Sequence, residues 1–255
     1  MNSPASLALR QRLDQIASRI ESARARRGGG PVYMLPVTKG QPGKMVAALL
    51  RLHVWAIGEN RVQEARKKFP EIETALGPDW KLTERHLIGT LQTNKAREAV
   101  TLFDWIQSVD RLKLAEELQI QAAAVSRTIN ITLQIKYGSE PTKQGMSEET
   151  LLKDLPAYGQ FPNLRVRGLM LIPPLDADRV VTRSYFRRMK QLFESVRLQA
   201  SRLKLPWDTL SMGMSDDFEM AIEEGATMVR LGRLVFDGIP EDVEEPKIPL
   251  DIMDE

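Results

Sequence analysis

Lys39 stands where a short apolar segment gives way to a turn, in Val37-Thr38-Lys39-Gly40-Gln41-Pro42. At a strand end such a lysine points into the mouth that the strands enclose, and Gly40 and Pro42 turn the chain away. An amine in a partly dry site has a lowered pKa and attacks aldehydes, so one chemistry open to Lys39 is a Schiff base. The other reading is a solvated lysine that opens a loop. Two strings near the carboxyl terminus also follow apolar runs. They are Ser211-Met212-Gly213-Met214-Ser215-Asp216-Asp217 and Arg230-Leu231-Gly232-Arg233. Small residues there let backbone N–H groups approach an anion, and Ser215 adds a hydroxyl at a helix start. Turn chemistry accounts for them equally, with Asp216 and Glu219 as a capping box. Asp216 and Asp217 would repel an anion unless they face away. A lysine nucleophile and a phosphate cradle together suit one ligand class, a phosphorylated aldehyde, and pyridoxal 5′-phosphate is of that class.

Other polar residues at strand ends are less distinctive. In Ile57-Gly58-Glu59-Asn60-Arg61, Glu59 and Asn60 could serve a site, or Asn60 could cap the next helix. His86 opens His86-Leu87-Ile88-Gly89-Thr90 with no nucleophile–base–carboxylate set nearby, and Asn94 reads as a helix cap. Lys143 adds a basic group after the fifth apolar run. The chain has no cysteine and only two histidines, His53 and His86. That excludes disulfide frameworks, cysteine nucleophiles, iron–sulfur clusters and multi-histidine metal sites. There is neither a Walker A loop nor a GxSxG elbow.

These residues need elements to position them. Residues 6–27 form a helical pattern, with Leu7, Leu9, Leu13, Ile16 and Ile20 near one face, that stops at Gly28-Gly29-Gly30-Pro31. Strand-like runs then recur at 32–38, 54–57, 86–88, 105–107, 129–136, 166–172, 209–212 and 228–231. Helical stretches separate them at 45–51, 63–69, 94–102, 111–126, 148–155, 184–204 and 217–223. Eight strand–helix alternations predict right-handed βαβ units closing into one (β/α)8 barrel of the TIM type, with residues 1–30 as an extra helix and turn packed on it. In such a barrel the chemistry lies at the carboxyl ends of the strands, and loops seven and eight hold phosphate.

The formal charge of +2 is unevenly spread over the 255 residues. Residues 237–255 carry eight acids and one lysine, which leaves 35 basic against 26 acidic residues before them, a balance of +9. A basic body attracts anions. No aromatic-interleaved basic motif points to nucleic acid. The acidic, proline-containing tail is expected to be mobile. No apolar run approaches the roughly 18 residues of a membrane span, and the start is unlike a secretory signal, so a cytoplasmic location is expected.

In order along the chain, TKGQP, IGENRVQEA, HLIGTLQTNK, QSVDR, Lys143 with Gly145, GLMLI, SMGMSDDFEMAI and VRLG resemble the pyridoxal-phosphate homeostasis protein family, whose barrel is like the alanine racemase N-terminal domain. The resemblance covers residues 33–236. It implies pyridoxal phosphate as cofactor, Lys39 as its covalent Schiff-base partner, and Ser215 with the backbone of Gly232 and Arg233 on the phosphate. Met214 would lie beside the ring, Arg230 would face the pyridine nitrogen and Asn60 the ring substituents. A guanidinium in that place disfavours protonation of the ring and weakens it as an electron sink. The chain departs from the family in having Thr38 before the lysine, Gly40 after it, and Val235-Phe236-Asp237-Gly238 after the last strand. The implied function is a non-catalytic carrier in cofactor homeostasis, serving apo-enzymes that use pyridoxal phosphate, without nucleic acid or membrane partners and as a monomer. The alternative is an amino-acid racemase. That needs a second base, for which Tyr137, Tyr158 and Tyr185 offer no motif. Lys143 would take part in cofactor transfer or stay solvated.

Overall fold

The computed structural model describes residues 3–138, 144–174 and 177–240. Eight parallel strands follow one another along the described residues. They are β1 (Tyr33–Pro36), β2 (Ala56–Glu59), β3 (Glu84–Leu87), β4 (Trp105–Val109), β5 (Ile129–Ile135), β6 (Leu164–Leu171), β7 (Thr209–Ser211) and β8 (Met228–Leu231). From β2 to β8 each strand pairs with the next in sequence, and β1 pairs with β8. The last seam, between β1 and β2, is held by a bridge of Val37 with Gly58 and by the Thr38 amide donating to the Gly58 carbonyl at 2.8 Å. The result is a nearly closed (β/α)8 barrel, as the alternation predicts.

The helices α1 (Pro4–Arg27), α2 (Gly43–Leu50), α3 (Val62–Leu76), α4 (Ala96–Leu102), α5 (Leu112–Ala124), α6 (Glu148–Tyr158), α7 (Arg179–Arg202), α8 (Phe218–Glu223) and α9 (Arg233–Phe236) wrap the sheet. Apolar residues divide accordingly. A large cluster lies between sheet and helices, and a small one of Leu35, Val37, Ile88 and Met228 lies inside the barrel. Leu9, Ile16 and Ala23 recur every seven residues along one stripe of α1 and are buried. Arg12 ties the helix to the Leu234 carbonyl at 2.9 Å, and Arg27 ties it to the Ala226 carbonyl at 2.6 Å. The extra helix thus braces the two elements that follow β7 and β8.

Several boundaries differ from expectation for local reasons. β2 starts two residues late because the 51–53 turn continues α2, with His53 in the left-handed region at φ 63°. α7 starts at Arg179, before the expected 184, because the Asp178 carboxylate accepts from the Val181 amide at 2.8 Å and caps the helix there. α3 runs on through Pro70 to Leu76. Asn60 and Asn94 do not cap: Arg61 is the N-cap of α3, and Asn94 lies in a 3-10 turn over Thr93–Lys95. The 3-10 segment Gly77–Leu82 and the short α9 had no expected counterpart. Lys143 and residues 241–255 of the acidic tail lie outside the described residues.

Candidate functional site

One cavity of about 790 Å³ opens at the carboxyl ends of the strands. Lys39, Asn60, Met214, Ser215, Arg230, Gly232 and Arg233 all line it. The seven residues singled out in the sequence are therefore brought together, from the ends of β1, β2, β7 and β8. A smaller depression of about 410 Å³, lined by Arg27, Lys190 and Gly225 among others, lies at the opposite end.

Lys39 follows a rigid anchor. Thr38 is fully buried and its hydroxyl donates to Glu59 Oε1 at 2.6 Å. Lys68 from α3 donates to the same carboxylate oxygen at 2.8 Å and to the Thr38 carbonyl at 2.7 Å. Burial pushes the Glu59 carboxyl upward, while Lys68 and Thr38 pull it down. On the far side of Lys39 the Gly40 amide donates to Glu64 at 2.6 Å. The backbone on both sides of Lys39 is thereby pinned, and its exposed side chain is left free to reach the cavity.

Arg230 forms the floor. Only 3% of it is exposed. Its Nη1 donates to Ser211 Oγ at 2.7 Å and its Nη2 to the Leu171 carbonyl at 2.8 Å. Burial brings its pKa down to about 10, so the guanidinium stays charged at neutral pH, with Asp217 opposing the shift. β1 and β8 are neighbours in register, Leu35 beside Arg230, so Lys39 and Arg230 enter the cavity from adjacent strands.

The loops after β7 and β8 are joined by Ser215, whose hydroxyl accepts from the Leu234 amide at 3.2 Å. Gly213 sits at φ 95°, and a Cβ there would come within 2.5 Å of Ala221, so only glycine lets this loop turn tightly against α8. The expected capping box does not form. Asp217 accepts from the Met214 amide at 2.6 Å, which stiffens the loop. Asp216 lines the cavity edge and is ion-paired with Arg233, which is thereby partly engaged. Asn60 reaches the rim because Gly89 admits it: a Cβ on Gly89 would lie 2.2 Å from the Asn60 carbonyl oxygen.

Other wall residues lie outside the seven, Tyr137 among them having been weighed only as a base. Arg61, Lys136, Gln134 and Tyr137 line the cavity. The Tyr137 hydroxyl donates to Glu148 at 2.7 Å, and burial pushes its pKa well up. Arg61, Lys136 and Tyr137 come just after strands, which was the available signal, whereas Gln134 lies within β5. Among the described residues no cluster of His, Cys, Asp or Glu could hold a metal, and no helix is long and apolar enough to cross a membrane.

His86 is buried in the barrel interior, stacked on Trp105 at 5.0 Å. Burial pushes its pKa below the ordinary histidine range, against the pull of Glu84. Between that lowered value and about 6.5 the unfolded chain binds a proton that the folded protein refuses, so stability rises with pH across this window. Below about pH 6.5 the protein is expected to lose up to about 1.4 kcal/mol per pH unit through this group. Thermal unfolding from pH 4.5 to 7.5 checks it. The stability of the parent relative to His86→Gln should decline as pH falls, and a constant difference would contradict it.

Comparison with known proteins follows the same lines. The family model for the alanine racemase N-terminal domain matches residues 11–240. The pyridoxal phosphate homeostasis protein of Pseudomonas aeruginosa is 39% identical over 228 residues, 89% of this chain and 94% of that one. PipY of Synechococcus elongatus, solved without PLP, superposes with a TM-score of 0.80 at 35% identity, covering 89% of this chain and 98% of PipY. Its PLP-bound form gives 0.75 at 36%, covering 87% and 99%. Alanine racemase of Clostridium difficile shares the fold at TM-score 0.65 and 16% identity, and this chain spans 59% of its length against 93% of its own. The chain belongs to the pyridoxal phosphate homeostasis protein family, on an alanine racemase N-terminal-type barrel.

Proposed function

We propose that this protein binds pyridoxal 5′-phosphate reversibly at the barrel mouth and serves its homeostasis as a carrier rather than as a catalyst. The observation that carries the reading is the convergence of Lys39 and the buried Arg230 on one cavity that the Ser215 and Gly232 loops also line. The residues present fit the group. Lys39 would offer its amine to the cofactor's aldehyde. Ser215 and the backbone around Gly232 would hold the phosphate, with Arg233 contributing beside Asp216. Arg230 would donate to the ring nitrogen, Met214 would lie beside the ring and Asn60 would meet its substituents.

The bound cofactor supplies a reactive aldehyde and, in enzymes, an electron sink. The residues of this chain do not develop the second property. Arg230 keeps its charge at neutral pH and so disfavours a proton on the ring nitrogen. Racemisation needs a proton acceptor on each face of the substrate carbon. Tyr137 is the tyrosine in the cavity wall, but its hydroxyl is committed to Glu148 and its pKa is raised. In this reading the protein is a monomer that hands cofactor to apo-enzymes in the cytoplasm.

The test is to load the protein with pyridoxal phosphate, remove the excess, and add an apo-enzyme that depends on it. Activation of the acceptor, with no racemisation of alanine by the loaded protein alone, is expected. Racemisation at the roughly 1–1000 per second common among enzymes would overturn the carrier reading.

A further inference from the structure

Beneath the cavity floor a line of buried polar side chains crosses the barrel interior, and the binding reading above leaves it unused. Arg230 Nη1 donates to Ser211 Oγ at 2.7 Å. Ser211 Oγ donates to Gln107 Oε1 at 2.7 Å. Gln107 Nε2 lies 2.9 Å from His86 Nδ1 and 3.1 Å from Met228 Sδ. The Gln107 carbonyl in turn accepts from the Thr132 hydroxyl at 2.9 Å. Four strands, β8, β7, β4 and β3, thus contribute one link each. Ser211 and Gln107 are fully buried, and His86 is 1% exposed.

The chain has a single permitted polarity. Arg230 can only donate, so Ser211 accepts from it and passes its one proton to the amide oxygen of Gln107. That fixes the amide with its NH2 toward His86, whose Nδ1 must then accept. The imidazole is held neutral with its proton on Nε2. A protonated imidazole would set N–H against N–H and break the line. Between Arg230 and His86 Nδ1 every link is made, which holds these members in one geometry; beyond it His86 Nε2 has no hydrogen-bond partner and lies 3.6 Å from Glu84 Oε2. Arg230 alone among the linked side chains lines the cavity.

We propose that Ser211, Gln107 and His86 are positioning residues that hold the Arg230 guanidinium in one orientation beneath the cofactor ring. This rests on the reading that the cavity takes pyridoxal phosphate. Partners that orient metal-ligating side chains are worth about 10–100-fold in affinity, and an effect on that scale is expected for the partners behind Arg230. Removing a link lets the guanidinium turn and changes what the ring nitrogen meets, while the phosphate end is untouched.

The experiment compares the parent with Ser211→Ala, Ser211→Thr and Gln107→Met, the last keeping the side-chain volume. Pyridoxal phosphate affinity, the visible maximum of the loaded protein and the affinity for inorganic phosphate are measured on each. Ser211→Ala and Gln107→Met should bind pyridoxal phosphate about tenfold more weakly with a displaced visible maximum. Their affinity for inorganic phosphate should be unchanged, and Ser211→Thr, which keeps the hydroxyl, should resemble the parent. Variants with the parent's affinity and spectrum would overturn the positioning role alone. A parent that forms no visible band would overturn the cofactor reading beneath it. Should the variants not fold, nitrogen NMR of His86 in the parent decides: its Nδ1 should be unprotonated and its signal should move on loading. A protonated Nδ1, or a signal indifferent to loading, would overturn the proposal.

Discussion

Lys39→Ala is expected to abolish the visible band that the protein acquires on incubation with pyridoxal phosphate, and to leave no adduct after borohydride reduction. The side chain is exposed at the cavity wall, so the substitution should change stability by no more than about 0.5 kcal/mol. The anion-holding half of the site, Ser215 and the Gly232 loop, lies on other elements and should stay intact. The variant is therefore expected to retain weak, colourless binding that inorganic phosphate displaces. Absorbance titration of parent and variant, with thermal unfolding as a control, checks this. A visible band of parental intensity in Lys39→Ala would place the covalent bond elsewhere.

Lys68→Met is expected to show the largest effect on stability. Its ammonium is buried against Glu59, whose carboxylate is fully enclosed. Removing one partner of a buried pair leaves the other uncompensated, at a cost of about 3–5 kcal/mol. At roughly 2–4 °C per kcal/mol for a chain of this size, the midpoint should fall by about 10 °C. Lys68 also holds the Thr38 carbonyl, so binding at the neighbouring Lys39 should weaken as well. The double variant Glu59→Gln with Lys68→Met removes the stranded charge and should recover much of the stability but not the binding, because the Thr38 carbonyl still lacks its donor. Thermal unfolding and cofactor titration on the single and double variants separate the two effects. Equal losses of stability in both would show that the pair itself is not the source.

The barrel was legible because apolar runs and helical patterns alternate, and strand ends are where residues such as Lys39 and Arg230 become conspicuous. All seven candidate residues converge on one cavity. The misreadings concern groups whose role depends on partners distant in sequence. Asp216 and Glu219 have capping-box spacing, but the Met214 amide and Arg233 claim the adjoining carboxylates instead. Glu59 could be suspected of a site role, yet its partner Lys68 comes from the next helix and spacing does not reveal it. His86 showed no nucleophile–base–carboxylate set nearby in sequence. Its link to Arg230 passes through Gln107 and Ser211, which are 104 residues apart. Polar side chains inside buried strands were the visible hint, but only strand order around the barrel brings them into line.

The most direct test of the account is to load the protein with pyridoxal phosphate, reduce it with borohydride and map the modified peptide by mass spectrometry. The account predicts a single adduct on Lys39. An adduct on another lysine of the mouth, such as Lys136, or no adduct from a folded protein, would contradict it.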